Sequence, residues 1–96
     1  MSDVDAVMTL VDEDADAVEQ IRSLQALINS GTIWHMEGSM GRAAMRAIED
    51  GVCALGKQGC KNYWGAYVPS RTEVKPGTKG SVEFVEAYSP YGEILE

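Results

Sequence analysis

Two glycine-containing turns carry the residue types best suited to chemistry in this chain. Gly38-Ser39-Met40-Gly41-Arg42 opens a stretch with helical spacing, and the first amides of a helix lack intrahelical partners, so backbone N–H groups and the Arg42 guanidinium can meet an anion there. Gly77-Thr78-Lys79-Gly80-Ser81 repeats the theme of glycine, hydroxyl and lysine ahead of a short apolar run, with Arg71 and Lys75 close in sequence. Neither is the full GxxxxGK[ST] pattern of a nucleotide-binding loop. Arg42 and Arg46 lie one helical turn apart and repel unless each finds an anion, although Arg46 can pair instead with Glu49 or Asp50 three or four residues on. The candidate anion-binding set is therefore Ser39, Gly41, Arg42, Arg46, Arg71, Lys75, Thr78, Lys79 and Ser81. Turn and cap duty is its competitor at both loops.

A second constellation is aromatic. Tyr63, Trp64 and Tyr67 interleave with Lys57, Lys61 and Arg71, the mixture that stacking on bases uses, although the same rings would serve to fill a small core. Trp34, Tyr63, Trp64 and Tyr67 are the candidate interaction aromatics, with Trp34 or Trp64 as the anchor of a protein contact. The overall charge of −7 argues against nucleic acid as a partner.

Nothing completes an active site. Cys53, Cys60 and the single His35 fall short of the four ligands of a structural zinc site and have no paired-cysteine spacing. A Cys/His nucleophilic pair lacks an orienting third group, so His35 reads as a partly buried neighbour of Trp34 and the cysteines as ordinary thiols. The adjacent Glu49 and Asp50 diverge on a helix and make a poor acid/base pair. No metal, no cofactor and no enzymatic activity is expected.

Charge is distributed unevenly around these residues. Asp3, Asp5, Asp12, Glu13, Asp14, Asp16 and Glu19 crowd residues 1–19, an acidic N-terminal segment. All eight Lys and Arg lie between Gln20 and Ser81, against Glu37, Glu49, Asp50 and Glu73, a local balance of +4. A positive middle between negative ends is where an anion site belongs. No run approaches the roughly 20 apolar residues of a membrane span, and no basic-then-apolar leader opens the chain, so the expectation is a cytoplasmic protein with no membrane partner.

The elements that must position these groups are short. Val4, Val7, Val11, Val18, Ile21, Leu24, Leu27 and Ile28 recur at three- and four-residue steps, which predicts an amphipathic helix from Val4 to about Asn29, ended by Gly31. The carboxylates from Asp12 to Asp16 offer a later start, because acids favour the first turn of a helix. Val4, Val11 and Val18 repeat at seven, but Asp14 spoils the companion seam of a coiled coil. A second helix capped by Ser39 buries Met40, Ala43, Ala44, Ala47 and Ile48 and stops at Gly51. Tyr63 to Val68 suits a short strand limited by Pro69, and Val82 to Tyr88 a short helix capped by Ser81. Tyr91 to Glu96 reads as a docking tail. The 96 residues make a small single domain, mainly α with a short β element, built on two principal helices.

Ile33 to Val85 carries a likeness to known sequences in Trp34, Glu37-Gly38-Ser39, Gly41-Arg42-Ala43-Ala44-Met45, Tyr63-Trp64-Gly65, Val68-Pro69-Ser70-Arg71 and Pro76-Gly77-Thr78-Lys79-Gly80-Ser81. In these residues the chain resembles a family of small uncharacterised actinobacteriophage proteins of mycobacteriophage type, over residues 32–88 and thus about half the chain or more. The resemblance implies a viral protein made in the host bacterial cytoplasm and brings no active site with it. The function expected is that of a non-enzymatic phage binding protein. It would occupy a host protein, or sequester a small anionic or nucleotide ligand through the basic middle, a sequestering protein being a homo-oligomer. The alternative is a small structural or accessory subunit of the virion, in contact with other virion proteins.

Overall fold

The acidic run divides the N-terminal pattern into two helices instead of the single one that its periodicity predicts. In the computed structural model, which describes residues 2–36, 38–62 and 64–89, α1 is Asp3–Leu10 and α2 is Ala17–Ser30. The break has a local cause. Asp12 Oδ1 accepts from the Asp14 N–H at 2.9 Å, and Asp16 Oδ1 accepts from the Glu19 N–H at 2.8 Å as the N-cap of α2. Carboxylates that bond nearby amides favour turns and caps over helix interiors, so the later start among the acidic residues is the one adopted. The chain turns back on itself there, and α1 packs against α2 with Ala6 buried and Val7 and Leu10 half-buried.

Gly31, at φ +83°, ends α2 in the left-handed conformation that glycine takes without strain. A 3-10 turn over Thr32–His35 follows, burying Ile33 and Trp34 and leaving His35 exposed, contrary to its expected partial burial. Thr32 Oγ1 donates to Asp3 Oδ2 at 2.5 Å and ties α1 to this turn. Helix α3 spans Gly38–Glu49, so Ser39 sits inside its first turn and not at the cap expected from sequence. Its end is as expected: the Gly51 N–H bonds to Ile48 O at 3.2 Å and the Val52 N–H to Ala47 O at 2.9 Å, the paired bonds of a Schellman stop.

Leu24, Leu27 and Ile28 of α2, Ile33 and Trp34 of the 3-10 turn, and Ala44, Ala47 and Ile48 of α3 form the core, which Cys53, Leu55 and Val68 close from the C-terminal half. The strand element is shorter than predicted. β1 (Cys60–Lys61) pairs antiparallel with β2 (Tyr67–Val68), with Cys60 opposite Val68 and Lys61 opposite Tyr67, and the pairing stops before Pro69. α4 (Val82–Tyr88) begins as expected at Ser81. The result is a mainly α fold with a short β element. Among the described residues no helix is long and apolar enough to cross a membrane. Tyr63 and the tail from Tyr91 lie outside the described residues.

Candidate functional site

The Trp64 side chain stands on the tip of the β1–β2 hairpin, and Asn62 builds that tip. Asn62 Oδ1 accepts from the Trp64 N–H at 2.9 Å and the Ala66 N–H at 3.0 Å, while the Asn62 N–H bonds to Ala66 O at 2.9 Å. Gly65 supplies the positive φ of +82° that closes the turn. A short polar side chain that satisfies two loop amides fixes the local backbone, so the indole is presented from a defined turn. Trp64 is 75% exposed, whereas Trp34 is only 5% exposed. One tryptophan therefore belongs to the core and the other to the surface.

The two rings border the same cleft, of about 220 Å³. It is lined by Trp34 and Met36, by Gly38, Gly41, Arg42 and Met45 of α3, and by Asn62 and Trp64 of the hairpin. The spacing of the α3 residues puts them on one helical face, beside the face that Ala44, Ala47 and Ile48 bury. The Arg42 guanidinium folds back along the helix to its start, where a Cβ on Gly38 would sit 3.0 Å from Nη1. A full positive charge thus lies beside the positive end of the helix dipole, and no described carboxylate pairs with it, so the mouth of an otherwise apolar cleft favours negative charge. Arg46 is exposed on the next turn of α3, and no described carboxylate pairs with it either, Glu49 and Asp50 included.

The remaining candidate residues go elsewhere. Arg71 is half-buried: its Nε donates to Leu55 O at 2.9 Å and its Nη2 to Asn29 Oδ1 at 2.8 Å. Burial lowers its pKa from the ordinary value. The GTKGS turn serves α4. Ser81 is buried, and its Oγ accepts from the N–H groups of Gly77 at 3.0 Å and Phe84 at 3.2 Å while donating to Thr78 O at 2.7 Å. Thr78 Oγ1 donates to Lys75 O at 2.5 Å, leaving the ammonium groups of Lys75 and Lys79 on exposed positions. Arg71 borders a different cleft, with Val74, Pro76 and Glu83, which shares no residue with the first. The structure therefore brings Arg42 and Gly41 together with Trp34 and Trp64, and places Arg71, Thr78 and Ser81 in hydrogen bonds within the fold.

Tyr67 is also engaged locally. Its hydroxyl bonds to the Glu73 carboxylate at 2.8 and 2.9 Å, and Glu73 Oε2 accepts from the Ser70 N–H at 2.7 Å. The Ser70 amide first, and the Tyr67 hydroxyl next, hold the Glu73 carboxyl below its ordinary value, and the same hydroxyl bond raises the Tyr67 phenol. Both cysteines are free thiols, with Cys53 pushed up to about 12 by burial, which makes it a poor nucleophile near neutrality. Among the described residues no cluster of His, Cys, Asp or Glu is spaced to hold a metal ion.

Met45 and Asn62 were not among the candidates from sequence. Met45 stands three residues beyond Arg42, hence on its face of the helix, and Asn62 begins a turn-forming stretch through Gly65; both signals were present in the chain.

No family model, curated protein or solved structure matches this chain.

Proposed function

We propose that this is a non-enzymatic binding protein, made in the host bacterial cytoplasm, that docks a partner protein on the cleft between α3 and the β1–β2 hairpin. The observation that carries this reading is the 75% exposed Trp64, presented from a fixed turn across from Met45 and Arg42. Tryptophan and arginine dominate the binding energy of protein interfaces, and methionine adapts its shape to a partner's side chains. The cation at the mouth favours an acidic segment carrying one or two apolar side chains.

Size separates this version from nucleotide sequestration. Small-molecule sites usually enclose about 300–1,000 Å³. At about 220 Å³ and open to solvent, this cleft seats a side chain or two more readily than it surrounds a nucleotide.

The test is partner capture from host lysate on four immobilised proteins: wild type, Trp64→Ala, Arg42→Ala and Lys79→Ala. Loss of a hot-spot tryptophan costs on the order of 2 kcal/mol or more, roughly thirtyfold in affinity. The captured protein should be retained by wild type and Lys79→Ala and depleted on Trp64→Ala and Arg42→Ala. Retention on Trp64→Ala at the wild-type level would remove the cleft from the account. The alternative of a virion accessory subunit predicts instead that the protein co-sediments with purified particles.

A further inference from the structure

Among the described residues nothing covers the outer face of α1. Val4 is 69% exposed, Met8 66% and Val11 66%, and their spacing of four and three residues aligns them along one side of the helix, away from the side through which Ala6, Val7 and Leu10 pack on α2. Exposed carboxylates flank this stripe: Asp5 beside Val4, and Asp12, Glu13 and Asp14 beyond Val11. It is an acidic segment with projecting apolar side chains, the chemistry that the α3–hairpin cleft favours.

We propose that the outer face of α1 in one copy of the chain docks in the Trp64–Arg42 cleft of a second copy. The inference rests on the reading of that cleft as the working surface, and it names one occupant. Charge complementarity selects this pairing. Two α1 faces brought together would oppose carboxylate to carboxylate, while α1 against the cleft sets Asp5 and the 12–14 run against the neighbourhood of Arg42 and Arg46. Met8 and its valine neighbours then supply apolar side chains to a cleft walled by Met45 and Trp64. The contact is heterologous, so a dimer keeps one free α1 face on one copy and one free cleft on the other, and assembly continues beyond the dimer unless a ring closes. A contact built on three apolar side chains and one cleft is expected in the weak class of interfaces, below about 1,200 Å² in total, so association depends on protein concentration. Self-association also competes with any outside partner of the cleft.

Sedimentation velocity on the full chain tests this. Wild type, Met8→Asp, Trp64→Asp and an equimolar mixture of the two variants are compared over roughly a hundredfold range of concentration. Both positions are exposed, and circular dichroism checks that each variant keeps its fold; Val11→Asp serves as a second variant of the α1 face. The expected result is wild type growing past a dimer with concentration and weakening with added salt, each variant alone monomeric, and the mixture restored to a one-to-one pair. In that pair the intact α1 of Trp64→Asp occupies the intact cleft of Met8→Asp. A monomeric wild type, a Trp64→Asp protein that associates like wild type, or a mixture that stays monomeric overturns the proposal. If capture of a lysate partner still depends on Trp64 while wild type stays monomeric, only this inference fails; if Trp64 matters to neither, the reading of the cleft fails with it.

Discussion

Arg71 Nη2 donates to Asn29 Oδ1 at 2.8 Å, joining residues 42 positions apart. The same oxygen accepts from Gln25 Nε2 at 3.0 Å, and Gln25, 1% exposed, also holds both backbone groups of Ala54: Nε2 donates to Ala54 O at 3.0 Å and Oε1 accepts from the Ala54 N–H at 2.8 Å. Gln25 of α2 thus satisfies Ala54, and Arg71 the carbonyls of Leu55 and Gly56, in an irregular segment with no regular ladder to pair with.

Removing either end leaves buried groups unpaired, at about 1–3 kcal/mol for each. Gln25→Leu should lower the stability measured by urea unfolding by about 2–4 kcal/mol, and Arg71→Lys, which cannot reproduce the two-pronged contact, by about 1–3 kcal/mol. Neither change should alter binding at the cleft once the protein is folded. An Arg71→Lys protein of unchanged stability but weakened binding would return Arg71 to the ligand-binding set.

Glu73 makes stability depend on acid. Its folded carboxyl is held below the ordinary value, by the Ser70 amide first and the Tyr67 hydroxyl second, so its contribution is complete above the unfolded carboxyl's pKa and is lost as pH falls through the folded value. Wild type should therefore exceed Glu73→Gln in unfolding midpoint by a constant margin near neutrality, and the margin should shrink on acidification below the ordinary carboxylate range. Tyr67 has the opposite sign. Its raised pKa gives a contribution that is complete below the ordinary phenol range and lost as pH rises through the folded value. A margin that is flat from acid to neutral pH would mean that the Ser70–Glu73–Tyr67 bonds do not form in solution.

The two thiols should separate by reactivity. Cys53 is fully buried and pushed up to about 12, whereas Cys60 is half-buried with its thiol only raised by partial burial. An aromatic disulfide reagent should modify one thiol per folded chain, and Cys60→Ser should abolish that rapid phase. Equal rates at both positions would contradict the burial of Cys53.

The tryptophans make a matched pair. Trp34→Ala removes a ring from the core, with an expected loss of about 3–5 kcal/mol, while Trp64→Ala should stay within about 0.5 kcal/mol of wild type. In single-tryptophan proteins made by replacing the other ring with Phe, acrylamide should quench Trp64 strongly and Trp34 weakly. Equal quenching would place both rings in the same environment.

These residues also mark what could be read from the chain. Gly31, Gly51 and Ser81 announce the end of α2, the end of α3 and the start of α4, because each acts through its own backbone or its nearest neighbours. The helix break at Asp12–Asp16 was legible only as an alternative, since the apolar steps run on through it; the capping bonds of Asp12 and Asp16 decide it. The contacts of Arg71 were not legible, because cations beside a glycine turn look alike whether they bind anions or carbonyls, and its partners Asn29 and Leu55 are distant in sequence. Trp34 and Trp64 have no local difference that sorts core from surface. The sorting comes from the Asn62 turn on one side and the packing of α2 against the 3-10 turn on the other.

The most direct test of the central claim is site-specific photocrosslinking in the cells where the protein is made, with a benzophenone side chain at position 64, at position 45 or at position 79. Positions 64 and 45 should each yield the same protein adduct, and position 79, on the turn that caps α4, should yield none. Adducts formed from position 79 and absent from 64 and 45 would move the working surface to the GTKGS turn and contradict the account.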